Sequence, residues 1–189
     1  MTDTADRSFG PSALATPANA LTALRLLGTP IFIALIVSRG ASWWTVAVGL
    51  VLGVSDGLDG IVARRQGATR SGAFLDPLAD KAVVLAALFT LSYEHQLPWL
   101  PVWLIAAREV GMSAYRSWVG RRGVSIPARG SAKIKTLVQD LAIATCVIPP
   151  LAPDHTLQLV AIWAAAALTL ATGVQYLNDG WRGTQKQVA

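Results

Sequence analysis

The chain is short of cysteine, histidine and charge. Cys146 is its only cysteine and stands inside an apolar run, which rules out an internal disulfide. His95 and His155 are the only histidines and lie in short polar breaks, so a Cys/His zinc site has too few donors, and neither histidine is assigned catalysis. Charged residues make up 14% of the 189 positions, well under the roughly 25% of soluble domains. With 53% apolar residues and a mean hydropathy of +0.46, this excludes a disordered chain, a coiled coil and a disulfide-rich secreted domain, and argues against an ordinary water-soluble enzyme. A basic leader is lacking too. Residues 1–18 are polar, with Asp3, Asp6 and Arg7, so a flexible cytoplasmic tail is expected and not a signal peptide.

What the sequence does have is six apolar stretches, near 20–38, 43–64, 73–93, 99–119, 134–151 and 156–177. A helix needs about 20 residues to cross a bilayer core, with about 17–25 as the range, and all six fit. The breaks carry polar or helix-stopping residues: Arg39-Gly40, Gln66-Gly67, Glu94-His95, Gly120 to Gly130 and Pro149 to Asp154. Pro30 lies within the first stretch and is expected to kink it, which packing in a bundle absorbs. The expected fold is all-α: one six-helix transmembrane domain over residues 19–178, between tails 1–18 and 179–189.

Charge sets the expected orientation. Sixteen Lys and Arg against 11 Asp and Glu give +5, and a greasy chain with excess base suits anionic lipid or an anionic substrate. With six spans, both termini share a side, and every basic residue except Arg39 falls on it. That side is therefore expected to be cytoplasmic. Trp43, Trp44, Trp99 and Trp103 gather at the opposite ends of two spans, and Trp181 ends the last, an aromatic belt of packing or anchoring residues.

The second and third stretches carry the chemistry. Asp56 and Asp59 are three apart on one expected helix, and Asp76 and Asp80 four apart on the next, so each pair shares a helix face. The short turn between predicts antiparallel neighbours, with the two pairs able to face each other at the cytoplasmic end. Four carboxylates so close repel unless protonated or neutralised by cations. Oxygen donors without Cys or His point to Mg²⁺ or Mn²⁺, and two such ions suit phosphoryl transfer. Gly57 and Gly60 clear side chains from beside the acids, and Arg64, one turn on, is placed for a phosphate.

These residues resemble the signature of the CDP-alcohol phosphatidyltransferase family: Asp-x2-Asp-Gly-x2-Ala-Arg, a spacer, then Gly-x3-Asp-x3-Asp. Asp56, Asp59, Gly60, Ala63, Arg64, Gly72, Asp76 and Asp80 match it, and the spacer, residues 65–71, is one shorter than the usual eight. The resemblance implies six transmembrane helices and a reaction in which a CDP-linked lipid gives its phosphatidyl group to an alcohol and CMP leaves. It implies that Asp56, Asp59, Asp76 and Asp80 hold two metal ions and that Asp80 is the general base. It implies that Gly60, Arg64 and Thr69 meet the cytidine diphosphate. Asn19-Ala20-Leu21-Thr22 would line the same pocket, or Asn19 or Thr22 would simply cap the first helix. It further implies a homodimer in a prokaryotic cell membrane, and no nucleic-acid partner.

The second half bears on the acceptor. Arg108-Glu109 through Arg116-x-Trp118, and Lys133-x-Lys135-Thr136-x2-Gln139, resemble segments of the family members that use glycerol 3-phosphate, with Ala132 where they have Gly. So does the opening Asn19-x-Leu21-Thr22-x2-Arg25, with Pro30 five residues on. The resemblance covers most of residues 19–140. Glycerol 3-phosphate is a dianion, and Arg108, Arg116, Lys133 and Lys135 are the candidates to receive it. Arg108 lies about nine residues inside its span, a costly place unless it meets an anion, Glu109 or Asp140. Gln139 and Asp140 are assigned no chemistry; they are intramembrane polar residues suited to bonding across helices. Inositol phosphate, or phosphatidylglycerol as in a cardiolipin synthase, are the alternative acceptors. A small cation transporter is the alternative class, but its charges belong near the midplane in related halves, whereas these acids crowd one end. A non-enzymatic lipid-binding subunit has no need of four acids.

Overall fold

A computed structural model of the chain describes the backbone of residues 17–66, 72–121 and 131–188, and the side chains of residues 23–55, 81–115 and 134–175. The described residues form six helices and no strand: α1 (Pro17–Arg39), α2 (Trp43–Gln66), α3 (Gly72–Tyr93), α4 (Trp99–Arg121), α5 (Ser131–Val147) and α6 (His155–Val188). Each coincides with one of the six apolar stretches. Pro30 does not break α1, and the Thr29 hydroxyl bonds the Arg25 carbonyl in the turn before it. Two boundaries move. α5 stops at Val147 and not 151, because Pro149 and Pro150 cannot continue a helix and Pro149 disfavours it at Ile148. α6 runs on to Val188, past the expected membrane edge at 177.

α1 and α2 run antiparallel, as do α3 and α4; α2 and α3, expected as direct neighbours, are not among the principal helix contacts of the described residues, and both pack on α1 instead. On α1 and α2, Gly28 faces Leu52 and Gly49 faces Phe32. A Cβ at Gly28 would stand 2.6 Å from Leu52 Cδ2, and one at Gly49 3.0 Å from the Phe32 ring. Phe89 of α3 meets Trp103 of α4 edge-on at 5.0 Å between centroids. On α5 and α6, Gln139 Nε2 donates to Thr169 Oγ1 at 2.8 Å, the cross-helix bond its position suggested. α1 packs along both α2 and α3, α6 along both α4 and α5, and α3 and α2 join these two sets by touching α4 and α5.

The ends are built differently. At one end, here the capped end, local bonds turn the chain. Gly40 adopts φ +57° after α1 and its N–H bonds the Ile36 carbonyl. The Ser42 hydroxyl accepts the Thr45 N–H at the start of α2. His95 takes φ 59° after α3, while the Gln96 and Leu97 N–H groups close on the Leu91 carbonyl. Asp154 Oδ1 accepts the Leu157 N–H at the head of α6. The other end, the acid end, holds the C-terminal part of α2 and the start of α3, with all four acids of the signature.

Burial is inverted relative to a water-soluble protein. The core of Leu88, Leu91, Val102, Ile105 and Ile162 is continuous with buried Arg25, Thr45, Glu109, Lys135, Gln139 and Thr169, and Cys146 is also fully buried. Meanwhile Leu27 (73%), Trp44 (68%) and Trp43 (65%) stand exposed, with Leu50, Leu100, Val110 and Val160. Such an apolar exterior over polar contacts is what a lipid-facing bundle requires. The stretch His155–Gln175 is long and apolar enough to cross a membrane, and Trp43–Ser55 and Lys81–Tyr93 are shorter apolar helical segments. The expectation that all six stretches qualify is met, among the described residues, by this one. Arg25, Asp56, Lys81, Arg108-Glu109 and Lys135 all lie toward the acid end.

Candidate active site

Asp56 and Asp59 lie on the continuous helix α2, and Asp76 and Asp80 on α3, so the spacing that puts each pair on one face is realised in the backbone. Their side chains lie outside the described residues, as do those of Arg64, Asn19, Thr22, Arg116 and Lys133 and the surroundings of Gly57 and Gly60; Thr69 lies outside them altogether. The main packing partner of both α2 and α3 is α1, which bridges the two acid-bearing helices and brings its own first turns to the same end. α1 begins at Pro17, so Asn19 and Thr22 fall inside the helix and not at its cap.

The donor chemistry suits a hard cation. The chain's softer donors are elsewhere: His95 and His155 at the capped end, Cys146 buried in α5. Among the described residues no group of three or more His, Cys, Asp or Glu could hold a metal. The carboxylates of α2 and α3 remain as an oxygen-only set, which fits Mg²⁺ or Mn²⁺.

Next to this set lies a buried ion cluster centred on Glu109 of α4. Its Oε1 accepts from Arg108 Nη1 at 2.9 Å and from Lys135 Nζ of α5, and its Oε2 is 3.9 Å from Lys81 Nζ of α3. Lys81 also donates to the Ser113 hydroxyl, one turn beyond Glu109, and Ser113 donates to the Glu109 carbonyl at 2.8 Å. Arg108 reaches across to α6, where Nη2 donates to Thr172 Oγ1 at 3.3 Å. Gly173 leaves room for that crossing: a Cβ there would stand a tight 3.2 Å from Arg108 Nε.

Two of the four expected acceptor residues, Arg108 and Lys135, thus meet in space, and the pair of Arg108 with Glu109 is realised. Glu109, Lys81, Ser113, Thr172 and Gly173 were not singled out by the sequence as members of one group. The signals were present in part: Glu109 is a carboxylate well inside an apolar stretch, and Lys81 directly follows Asp80.

Between α1, α2, α3 and α5 lies a cavity of about 400 Å³. Phe32, Leu52, Val84 and Ile143 supply apolar wall, and Arg25, Thr136 and Asp140 its polar end. An alkyl chain with a polar head at the acid end fits this lining.

The sequence profile described as CDP-alcohol phosphatidyltransferase matches residues 15–171. Among similar proteins is one named probable phosphatidylglycerophosphate synthase from Mycobacterium tuberculosis, 40% identical over 182 residues, covering 92% of this chain and 85% of the relative. CDP-diacylglycerol–glycerol-3-phosphate 3-phosphatidyltransferase of Pseudomonas fluorescens is 38% identical over 176 residues, 86% of this chain and 89% of its own. The Escherichia coli protein of that name is 35% identical over 167 residues, 84% and 91%.

Proposed function

The chain belongs to the CDP-alcohol phosphatidyltransferase family, and from that premise we propose that it moves the phosphatidyl group of CDP-diacylglycerol to glycerol 3-phosphate, forming phosphatidylglycerophosphate and releasing CMP. It is a transferase of phospholipid biosynthesis, as the names of its relatives imply. The observation that carries the acceptor assignment is the meeting of Arg108-Glu109 with Lys135. Two segments far apart in sequence, both resembling glycerol 3-phosphate users, converge on one buried carboxylate beside the acid-bearing helices.

The reaction is an in-line displacement at phosphorus. The acceptor's hydroxyl oxygen forms a bond to the lipid-linked phosphorus, and the bond to the CMP oxygen breaks. Asp80 takes the hydroxyl proton. Asp56, Asp59 and Asp76, with Asp80, would hold the divalent ions that the family uses in general. Two Mg²⁺ or Mn²⁺ ions bound there would supply the positive charge that offsets the diphosphate and the departing CMP. Asn19, Thr22, Gly60, Arg64 and Thr69 receive the cytidine diphosphate, and the apolar cavity takes part of the lipid. Arg108 and Lys135, with Arg116 and Lys133, receive the acceptor's phosphate.

The family is membrane-associated and the relatives named above are bacterial, which makes this a prokaryotic membrane protein. All six helices cross the bilayer with both termini cytoplasmic, and the chain works as a homodimer. The inverted burial and the one-sided basic charge support this topology.

The test is direct. Protein purified in detergent with Mg²⁺ and CDP-diacylglycerol is offered glycerol 3-phosphate, inositol phosphate, phosphatidylglycerol and serine separately. CMP release with glycerol 3-phosphate alone is the expected result; release only with another acceptor overturns the assignment.

A further inference from the structure

We propose that Glu109 is a positioning residue for the acceptor's phosphate, its buried carboxylate gathering Lys81, Arg108 and Lys135 from three helices into one phosphomonoester-binding cluster. The inference rests on the proposed reaction and adds two residues, Glu109 and Lys81, to its site.

The cluster has a shape that a simple helix tie does not need. A tie requires one cation and one anion. Among the described residues, three cations converge on one carboxylate that is 4% exposed, and Lys81 and Lys135 have further partners besides. Two of the cations are also fixed by a second group, Lys81 by Ser113 and the Glu109 carbonyl and Arg108 by Thr172 beside Gly173, and Lys135 is itself buried. Left to themselves, three like charges on long side chains turn apart, because repulsion and rotamer entropy both favour dispersal. The carboxylate offsets one charge and holds the three heads in one direction. Anchored cations in an apolar surrounding are what a doubly charged phosphate seeks.

The cluster also stands in the right place. Lys81 follows Asp80 directly on α3. An acceptor whose phosphate rests on the cluster is held toward the acid end of the bundle, where α3 also carries the proposed base.

Steady-state kinetics on the full chain in detergent tests this. Glu109→Gln keeps the shape but removes the charge, and the acceptor KM is expected to rise about ten- to a hundred-fold, the loss of charge-assisted hydrogen bonds, while the KM for CDP-diacylglycerol stays put. An acceptor KM that is unchanged or lowered overturns the inference, as does an equal rise in both. If Glu109 acts through Lys135, Glu109→Gln combined with Lys135→Met costs little more than the worse single change; additive losses mean a merely structural carboxylate. Should Glu109→Gln not accumulate folded, Ser113→Ala loosens Lys81 alone and raises only the acceptor KM, and no rise there counts against the inference. Inorganic phosphate gives a readout independent of the reaction. It raises the Tm of the wild type and not of Glu109→Gln. An equal shift in both overturns the inference, even if turnover with glycerol 3-phosphate is found, and a wild-type-only shift without turnover places the fault in the proposed reaction.

Discussion

At the capped end, four local devices turn the chain: Gly40 and His95 in left-handed conformation, and Ser42 and Asp154 at helix starts. Their energy comes from backbone hydrogen bonds and from apolar packing of Leu88, Leu91, Val102 and Ile105. At the acid end, the described contacts are long-range and ionic, with Lys81, Arg108 and Lys135 on Glu109. Buried ion pairs are poor stabilisers, since desolvation offsets much of their attraction. Among the described residues, apolar packing with local caps thus marks one end and buried charge the other, where the charge has a task beyond holding helices together.

That division can be broken from either side. The largest effect is expected at the acid end. Asp80→Asn lowers turnover by about a hundred- to ten-thousand-fold, the usual worth of a general base, while CDP-lipid binding largely survives; near-normal CMP release removes Asp80 from that role. Next comes the capped end. Leu91→Ala costs about 2–5 kcal/mol of stability with both KM values unchanged, read by thermal unfolding in detergent beside kinetics. A changed acceptor KM in this variant would mean the two ends are coupled. Arg108→Ala raises the acceptor KM by about tenfold or more and that for CDP-diacylglycerol less; the reverse order moves Arg108 to the nucleotide. The smallest effect is Asp154→Ala, about 1 kcal/mol from a lost helix cap, seen as a lower Tm at full activity. A change in activity there would blur the division.

The helices were legible because apolar run length reports what a lipid-facing or buried helix needs, and all six fall where those runs are. Their ends were less so. The Pro149-Pro150 stop on α5 follows from proline chemistry, yet the apolar run continues through it and conceals it. The extension of α6 to Val188 leaves no hydropathy trace, because a helix that has left an apolar setting keeps its hydrogen bonds with polar side chains. The acids were legible through spacing, since three and four residues are helical neighbours by geometry alone. The Glu109 cluster was only half legible. Spacing links residues on one helix, whereas this group takes members from α3, α4, α5 and α6, and only the folded chain brings Lys81, Glu109, Lys135 and Thr172 together. Gly173 was silent for the same reason: its importance is the room it leaves for a side chain 65 positions earlier.

The lone thiol gives this bundle a built-in reporter. Cys146 is sealed in α5 with no exposed surface, its sulfur against the Ala142 carbonyl and the Thr145 hydroxyl. A maleimide in the surrounding medium can reach it only when the helices part. Because the chain has no second cysteine to confuse the signal, the labelling rate of the unmodified protein times its opening directly, without an introduced probe.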